Sequence, residues 1–102
     1  MDFDHDSFQK HIDDTIIAGD GLCNKHIVEI VIKEGVDRIN EIIEWGARFD
    51  KEADGDYKLG KEGGHSESRI LHHKDVTGRE MERALLEAIN RKPNIKLLNH
   101  CF

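Results

Sequence analysis

"RFDKEADGDYKLGKEGGHSESRILHHKDV", residues 48–76, is where the helical periodicity of this chain breaks off. Asp54-Gly55 is a favoured two-residue hairpin turn, and Tyr57 and Leu59 alternate with polar neighbours. The spacing predicts a hairpin or irregular β stretch that runs on to His73. Both flanks read as helix. Upstream, Val36, Ile39, Ile42 and Ile43 recur at three and four, which predicts a helix over 36–45 that stops at Gly46. Trp45 is expected to close the core at its end. Before it, Asn24 caps "KHIVEIVIKEG", predicting a helix over 24–35 that ends at Gly35 and is buried on several sides. The β-branched content of that stretch also allows a strand. At the start, Asp6 and Gln9 have the spacing of a capping box, and Phe8, Ile12 and Ile16 share one face of a helix over 7–18. Gly19 can end that helix, and "GDG" at 19–21 reads as a turn.

Downstream, Thr77 with Glu80 makes a second capping box and opens a helix over 77–91. Met81, Leu85, Ala88 and Ile89 form its buried stripe, and Pro93 follows its end. "NIKLLNHCF" then reads as a terminal strand that stops while still apolar, as a piece of a larger fold would. The fold class is therefore α+β: three N-terminal helices, a central β-hairpin or loop, a C-terminal helix and a terminal strand.

Composition excludes several functions. With 15 Lys and Arg against 21 Asp and Glu, the formal net charge is -6, so a surface that tracks phosphates is not expected. Nucleic acid is not a partner on this reading. No run of about 18 apolar residues is present, so no membrane span is expected. No basic-then-apolar signal peptide opens the chain either. The two cysteines, Cys23 and Cys101, have no CxxC spacing, which fits free thiols in a reducing cytoplasm. Hydrophobic residues make up 37% and charged residues 35%, enough for one modest core.

The chemistry gathers at residues 61–75, where a carboxylate, two glycines, three histidines and an arginine stand together. Three readings compete there. Zinc wants four N or S ligands at spacings such as HExxH or CxxC. Here His72 and His73 are adjacent, His65 is seven residues before His72, and neither cysteine has a neighbour. No metal site is expected, and the "DFDHD" opening at residues 2–6 reads as a solvated, frayed terminus. Glu62, His65 and Ser66 could pair a base with a nucleophile, but no GxSxG elbow surrounds Ser66. Gly63-Gly64 matches neither GxGxxG nor GxxxxGK[ST]. Such a pair lets the backbone approach something closely, or simply turns. Composition alone leaves a polar loop.

A resemblance sharpens this. "DSFQKHIDDTIIAGDGLCNK", "INEIIEWGARFDK", "EGGHSESRILHHKDVTGREME" and "NIKLL" closely resemble the L-aspartate oxidase flavoproteins, within the succinate dehydrogenase and fumarate reductase flavoprotein family. The likeness runs from about Asp6 to the C-terminus, and "EGGHSESRILHHKDVTG" is its most specific part. The wider family keeps a looser pattern: "HxxDT" (His11 to Thr15), a Gly-Gly pair, an arginine and "DxTG" (Asp75 to Gly78). Four departures stand out. The GxGxxG dinucleotide unit and the "AQGGI"-type flavin segment are absent, and the capping domain with its catalytic arginine and histidine would lie beyond Phe102. Lys61 stands where that branch often has arginine, which loses a planar fork. The resemblance therefore implies an internal piece of an FAD-dependent L-aspartate oxidase, residues 1–102 being part of its FAD-binding domain. The piece by itself is expected to hold no FAD and to be inactive.

On that reading the loop forms one wall of the substrate and flavin site. The resemblance places Glu62 against the ammonium that distinguishes aspartate from succinate. Gly63, Gly64, His65 and Ser66 become contacts to substrate or flavin, with His65 and Ser66 equally suited to capping their own loop. Asp75 and Thr77 are assigned to the turn and the helix cap. The intact relative would pass electrons to oxygen or fumarate and feed quinolinate and NAD synthesis, with quinolinate synthase as a partner. Open edges and apolar faces make self-association of the piece plausible. A fumarate reductase or succinate dehydrogenase piece is the first alternative, against which Glu62 and the "GGHS" spelling argue. A stand-alone helical interaction module is the second.

Overall fold

The computed structural model describes residues 6–101. Of the frayed, solvated opening expected at residues 2–6, Asp6 is described and is instead buried, at 5% exposure. Residues 2–5, and Phe102 at the end of the expected strand, lie outside the described residues. The described chain is an α+β piece of three helices and a two-stranded sheet. Helix α1 spans Phe8–Ala18. Its cap is Ser7, whose hydroxyl accepts from the Lys10 N–H at 3.1 Å. Asp6, the residue expected to cap, instead turns its carboxylate to an arginine described below. Ile12 is the buried residue of the face predicted for this helix.

Helix α2 spans Lys25–Glu44 without interruption, capped by Asn24 as expected. The two helices predicted over 24–35 and 36–45 are one. Gly35 costs a helix interior only about 1 kcal/mol relative to Ala. The apolar positions Ile32, Val36, Ile39 and Ile43 run past it at spacings of four, three and four, so a single stripe carries the helix through. Gly46 does end it, in the left-handed conformation (φ 110°) that glycine adopts freely. The Ala47 N–H reaches the Ile42 carbonyl and the Gly46 N–H the Ile43 carbonyl, at 3.1 and 2.9 Å. Those two bonds form a Schellman motif.

Trp45 does not close the core; it is 46% exposed. The backbone leaves the helix at Gly46 and alternates, so that Ala47 and Phe49 point inward while Arg48 points out. Ala47, Phe49 and Ala84 form the buried cluster, with Ile42, Ile43, Tyr57, Leu71 and Met81 packed around it. Phe49 and Tyr57 meet edge to face at 6.5 Å between ring centres.

Asp54-Gly55 lies in a turn but is not the expected two-residue hairpin centre. The Gly55 N–H bonds the Glu52 carbonyl, which centres the turn on Ala53-Asp54. The Glu52 N–H bonds the Asp56 carbonyl, which closes a three-residue loop framed by a bridge between Lys51 and Tyr57. Strands β1 (Leu59–Gly60) and β2 (Ile70–Leu71) pair antiparallel, Leu59 opposite Leu71 and Gly60 opposite Ile70. Between them residues 61–69 form the loop singled out in the sequence.

Helix α3 spans Thr77–Asn90, and its end at Asn90 precedes Pro93 as expected. Its predicted capping box does not form. The Thr77 hydroxyl accepts from the His73 N–H, and Glu80 is buried and turned toward Arg48 and Arg83. Ala84 sits at the centre of the stripe, among Met81, Leu85, Ala88 and Ile89.

The terminal strand is also corrected. Residues 91–101 contain turns and no strand, because a strand needs a neighbour for its N–H and C=O groups and none of the described residues lies alongside. Ile95, Leu97 and Leu98 are exposed there, as are Ile17, Val31 and Leu22, the last at 94%. The radius of gyration is 16.2 Å, against about 13 Å for a compact domain of 100 residues. The described residues thus make a flat layer with apolar area left uncovered.

Candidate functional site

The strand pair fixes the base of the 61–69 loop, where the Arg69 N–H adds a bond to the Gly60 carbonyl at 3.0 Å. Its far end is held by helix α1. One oxygen of Asp14, Oδ2, accepts three hydrogen bonds: from the Ser66 N–H (2.7 Å), the Ser66 hydroxyl (2.8 Å) and Arg69 (2.7 Å). Arg69 also donates through Nε and NH2 to the two oxygens of Asp6, at 2.7 and 2.8 Å. That is a bidentate fork, the geometry guanidinium is suited to. The Arg69 side chain is only 4% exposed. Two outer contacts brace the loop: Lys10 with Glu67 at 2.7 Å, and the Lys61 ammonium donating to the Ser66 carbonyl at 2.8 Å.

Electrostatics follow from these contacts. The Ser66 N–H, Arg69 and the Ser66 hydroxyl hold the Asp14 carboxyl far below the usual carboxylate range. Arg69 lowers Asp6 as well, against the opposing effect of burial. The His11 and His65 rings stand 5.5 Å apart. Burial depresses the His11 pKa, helped by the positive charge of Arg69. Arg69 donates to His65 Nδ1 at 3.1 Å. A guanidinium has no acceptor, so His65 is neutral in this arrangement and carries its proton on Nε2.

Glu62, Gly63, Gly64 and His65 form a turn closed by the His65 N–H and the Glu62 carbonyl at 3.1 Å. Gly64 has φ 85°, the left-handed value that the third residue of a type II turn requires. The Gly63 and Gly64 N–H groups have no acceptor among the described residues, and the Glu62 carboxylate is exposed without a partner there. A depression of about 220 Å³ lies between α1 and the turn, lined by Asp14, Thr15, Ala18, Gly63, Gly64 and His65. Glu62 lies outside it.

The structure thus unites Glu62, Gly63, Gly64, His65 and Ser66 in one loop and separates them from His72 and His73. Those two histidines gather around Asp50, at 3.3 Å and 3.7 Å, and His73 Nδ1 donates to the Arg48 carbonyl at 2.7 Å. No group of three metal-ligating side chains occurs among the described residues. Asp75 sits in the turn before α3, and its side chain makes no bond among the described residues.

The sequence reading took the anchor Asp6 for a helix cap and gave no anchoring role to Asp14 and Arg69. A signal for two of them was present: Asp14 is the acid of "HxxDT", and Arg69 is the arginine that follows the Gly-Gly pair.

Comparison with known proteins accords with this geometry. A family model for the FAD binding domain matches residues 1–102. The chain is 53% identical over 97 residues to L-aspartate oxidase 2-b, chloroplastic, of Nicotiana tabacum, covering 95% of the chain and 15% of that protein. It is 43% identical over 100 residues to the L-aspartate oxidase of Yersinia pestis, covering 94% and 19% respectively. Among solved structures, the FrdA chain of E. coli quinol fumarate reductase superposes with a TM-score of 0.86 at 28% identity, covering 94% of this chain and 16% of that one. The chain therefore spans less than a fifth of the length of each of these proteins. With a family model matched along its whole length and its clamped Gly-Gly loop intact, the chain belongs to the FAD-binding domain family, in a stretch it shares with L-aspartate oxidases.

Proposed function

We propose that these residues are the part of an FAD-dependent L-aspartate oxidase that builds one wall of its substrate and flavin site. The observation that carries this is the clamped loop. Asp14 and Arg69 hold a turn whose Glu62 carboxylate and Gly63 and Gly64 N–H groups remain unpaired and face outward. A buried anchor beneath unpaired polar groups is how a site keeps its recognition elements fixed before a ligand arrives.

Glu62 recognises the ammonium of L-aspartate, the group that succinate and fumarate lack. Gly63 and Gly64 supply two N–H donors and no side chain, which fits the close approach of a substrate carboxylate or one edge of a flat ring. His65 and Ser66 are engaged with Arg69 and Asp14, so their part is to hold the turn. The residues present fit one edge of a flavin and not its pyrophosphate, for which the chain has no GxGxxG turn. When bound, the flavin supplies the acceptor for the hydride that leaves Cα as L-aspartate becomes iminoaspartate. The chain's own residues orient the substrate, and by themselves they are inactive. Oxygen or fumarate takes the electrons, and the product serves quinolinate and NAD synthesis, with quinolinate synthase as a partner.

No helix among the described residues is long and apolar enough to cross a membrane. We assign the protein to the cytoplasm, although the tobacco relative is named as chloroplastic. The uncovered apolar layer would pack on the rest of the FAD-binding domain, and on a second copy when that is missing. A fumarate reductase flavoprotein is the second reading, favoured by the superposition on the E. coli enzyme and opposed by Glu62.

Glu62→Gln in the full-length oxidase tests the proposal, since it keeps the shape and removes the charge. A charge-assisted hydrogen bond contributes about 1.5–3 kcal/mol, so kcat/KM for L-aspartate should fall roughly ten- to a hundredfold. Fumarate reduction by the same protein should fall far less. Equal losses on the two substrates would overturn the assignment.

A further inference from the structure

The two motifs that define this stretch, "HxxDT" and the Gly-Gly turn, lie about fifty residues apart and meet at one atom, Asp14 Oδ2. Ser66, which that atom holds by both its N–H and its hydroxyl, directly follows the residue that closes the turn. On the other side Lys61, directly before Glu62, donates to the Ser66 carbonyl. Any displacement of Ser66 therefore moves the end of the turn it follows directly, and loosens the Lys61 contact at the other end. Glu62 itself is exposed, without a partner among the described residues. The position of its backbone is inherited from Ser66, and through Ser66 from Asp14.

From this we propose that Asp14 is a positioning residue for substrate specificity: acting through Ser66 and Arg69, it sets where Glu62 stands relative to the ammonium of the substrate. The inference rests on the reading that Glu62 recognises that ammonium. Geometry gives the mechanism. Arg69 is held at one end by Asp6 in a bidentate fork and has little freedom of its own. Asp14 joins this fixed guanidinium to the far end of the loop. Removing the Asp14 charge weakens three bonds that converge on one oxygen, while the strand pair at the base of the loop remains. The turn then pivots about Gly60 and Arg69, and the carboxylate at its tip loses register with a small, rigid substrate. Substrates lacking an ammonium make no use of Glu62. They register the pivot only through the Gly63 and Gly64 N–H groups, which lie nearer the hinge side of the turn's backbone than the tip of the Glu62 side chain and so shift less. Asp14 is thus distinct from a general fold-stabilising acid, because its effect falls mainly on one substrate class.

The test is a kinetic cycle in the full-length oxidase, with Asp14→Asn, Glu62→Gln and the double variant each assayed for L-aspartate oxidation and for fumarate reduction. Asp14→Asn should lower kcat/KM for L-aspartate about tenfold, chiefly through KM, a loss within the range that small misplacements of a reacting group produce. Fumarate reduction should stay within about threefold of wild type, and the double variant should be no worse on L-aspartate than Glu62→Gln alone. Losses equal on both substrates, or additive with Glu62→Gln, overturn the positioning role and leave Asp14 a stabilising residue. If Glu62→Gln itself is unselective, the functional reading fails and the inference with it. Ser66→Ala, which deletes only the hydroxyl bond, carries the same test in milder form should Asp14→Asn fail to fold. A selective loss supports the inference; an unselective one overturns it.

Discussion

Arg69→Met asks most of the clamp. Methionine keeps the length of the stem and removes every donor. Asp6 would lose both bonds of its fork and keep only the Ser7 N–H at 2.8 Å. Asp14 would lose one of three donors and His65 its only one. The decisive loss is at Asp6, which is 5% exposed and would hold an uncompensated charge. Removing one partner of a buried ion pair typically costs about 3–5 kcal/mol, a large share of the roughly 5–15 kcal/mol that holds a domain folded. Denaturant unfolding of wild type, Arg69→Met and Arg69→Met/Asp6→Asn measures it. The double variant should recover much of the loss, because the stranded charge is gone. The pH dependence should change sign as well. In wild type, Arg69 holds the Asp6 carboxyl below its ordinary 3.8, so its contribution is complete above that value and drains as pH falls through the lower native one. In Arg69→Met, burial raises the Asp6 pKa instead, so the variant gains on wild type as the solution is acidified. A loss under about 1 kcal/mol, the size of an exposed pair, would refute the clamp as a structural anchor.

Glu80→Gln should lower the melting temperature at neutral pH and flatten the acid limb of the stability curve. Arg83 and the Arg48 N–H hold the Glu80 carboxyl at about 2, against an ordinary 4.5, so its contribution is present above 4.5 and lost as pH falls toward 2; parallel acid limbs would contradict this. Chelation should leave the melting temperature unchanged, since His65 stands apart from His72 and His73 and no ligand cluster occurs among the described residues. A large drop with EDTA that zinc restores would reinstate a structural metal.

Local pattern conveyed much of this fold and little of the clamp. The Asn24 cap, the stop at Gly46, the Asp54-Gly55 turn and the stripe of α3 were all readable, because each is decided by residues within one or two turns of chain. Gly35 misled for a physical reason: a mid-helix glycine weakens a helix without breaking it when the apolar stripe continues on both sides. Asp6 and Thr77 misled differently. Each had the right spacing for a cap, but a demand from outside the cap outweighed it: on Asp6 from distant Arg69, and on Glu80 from the distant Arg48 N–H together with Arg83 one turn on. The Asp14–Ser66–Arg69 junction joins residues 52 and 55 positions apart, and no periodicity reports on contacts of that range. "HxxDT" and the arginine after the Gly-Gly pair were legible as motifs but not as partners. The terminal segment read as a strand from composition alone, and composition does not reveal whether a neighbouring strand exists.

The central claim is that Glu62 reads the ammonium of L-aspartate from a turn clamped to α1. A crystal structure of the full-length oxidase with L-aspartate bound, its flavin reduced beforehand to prevent turnover, tests that claim most directly. The account predicts a Glu62 carboxylate oxygen about 2.7–2.9 Å from the substrate nitrogen, with the Asp14 contacts to Ser66 and Arg69 unchanged. An ammonium held by another carboxylate, with Glu62 left facing solvent, would contradict it.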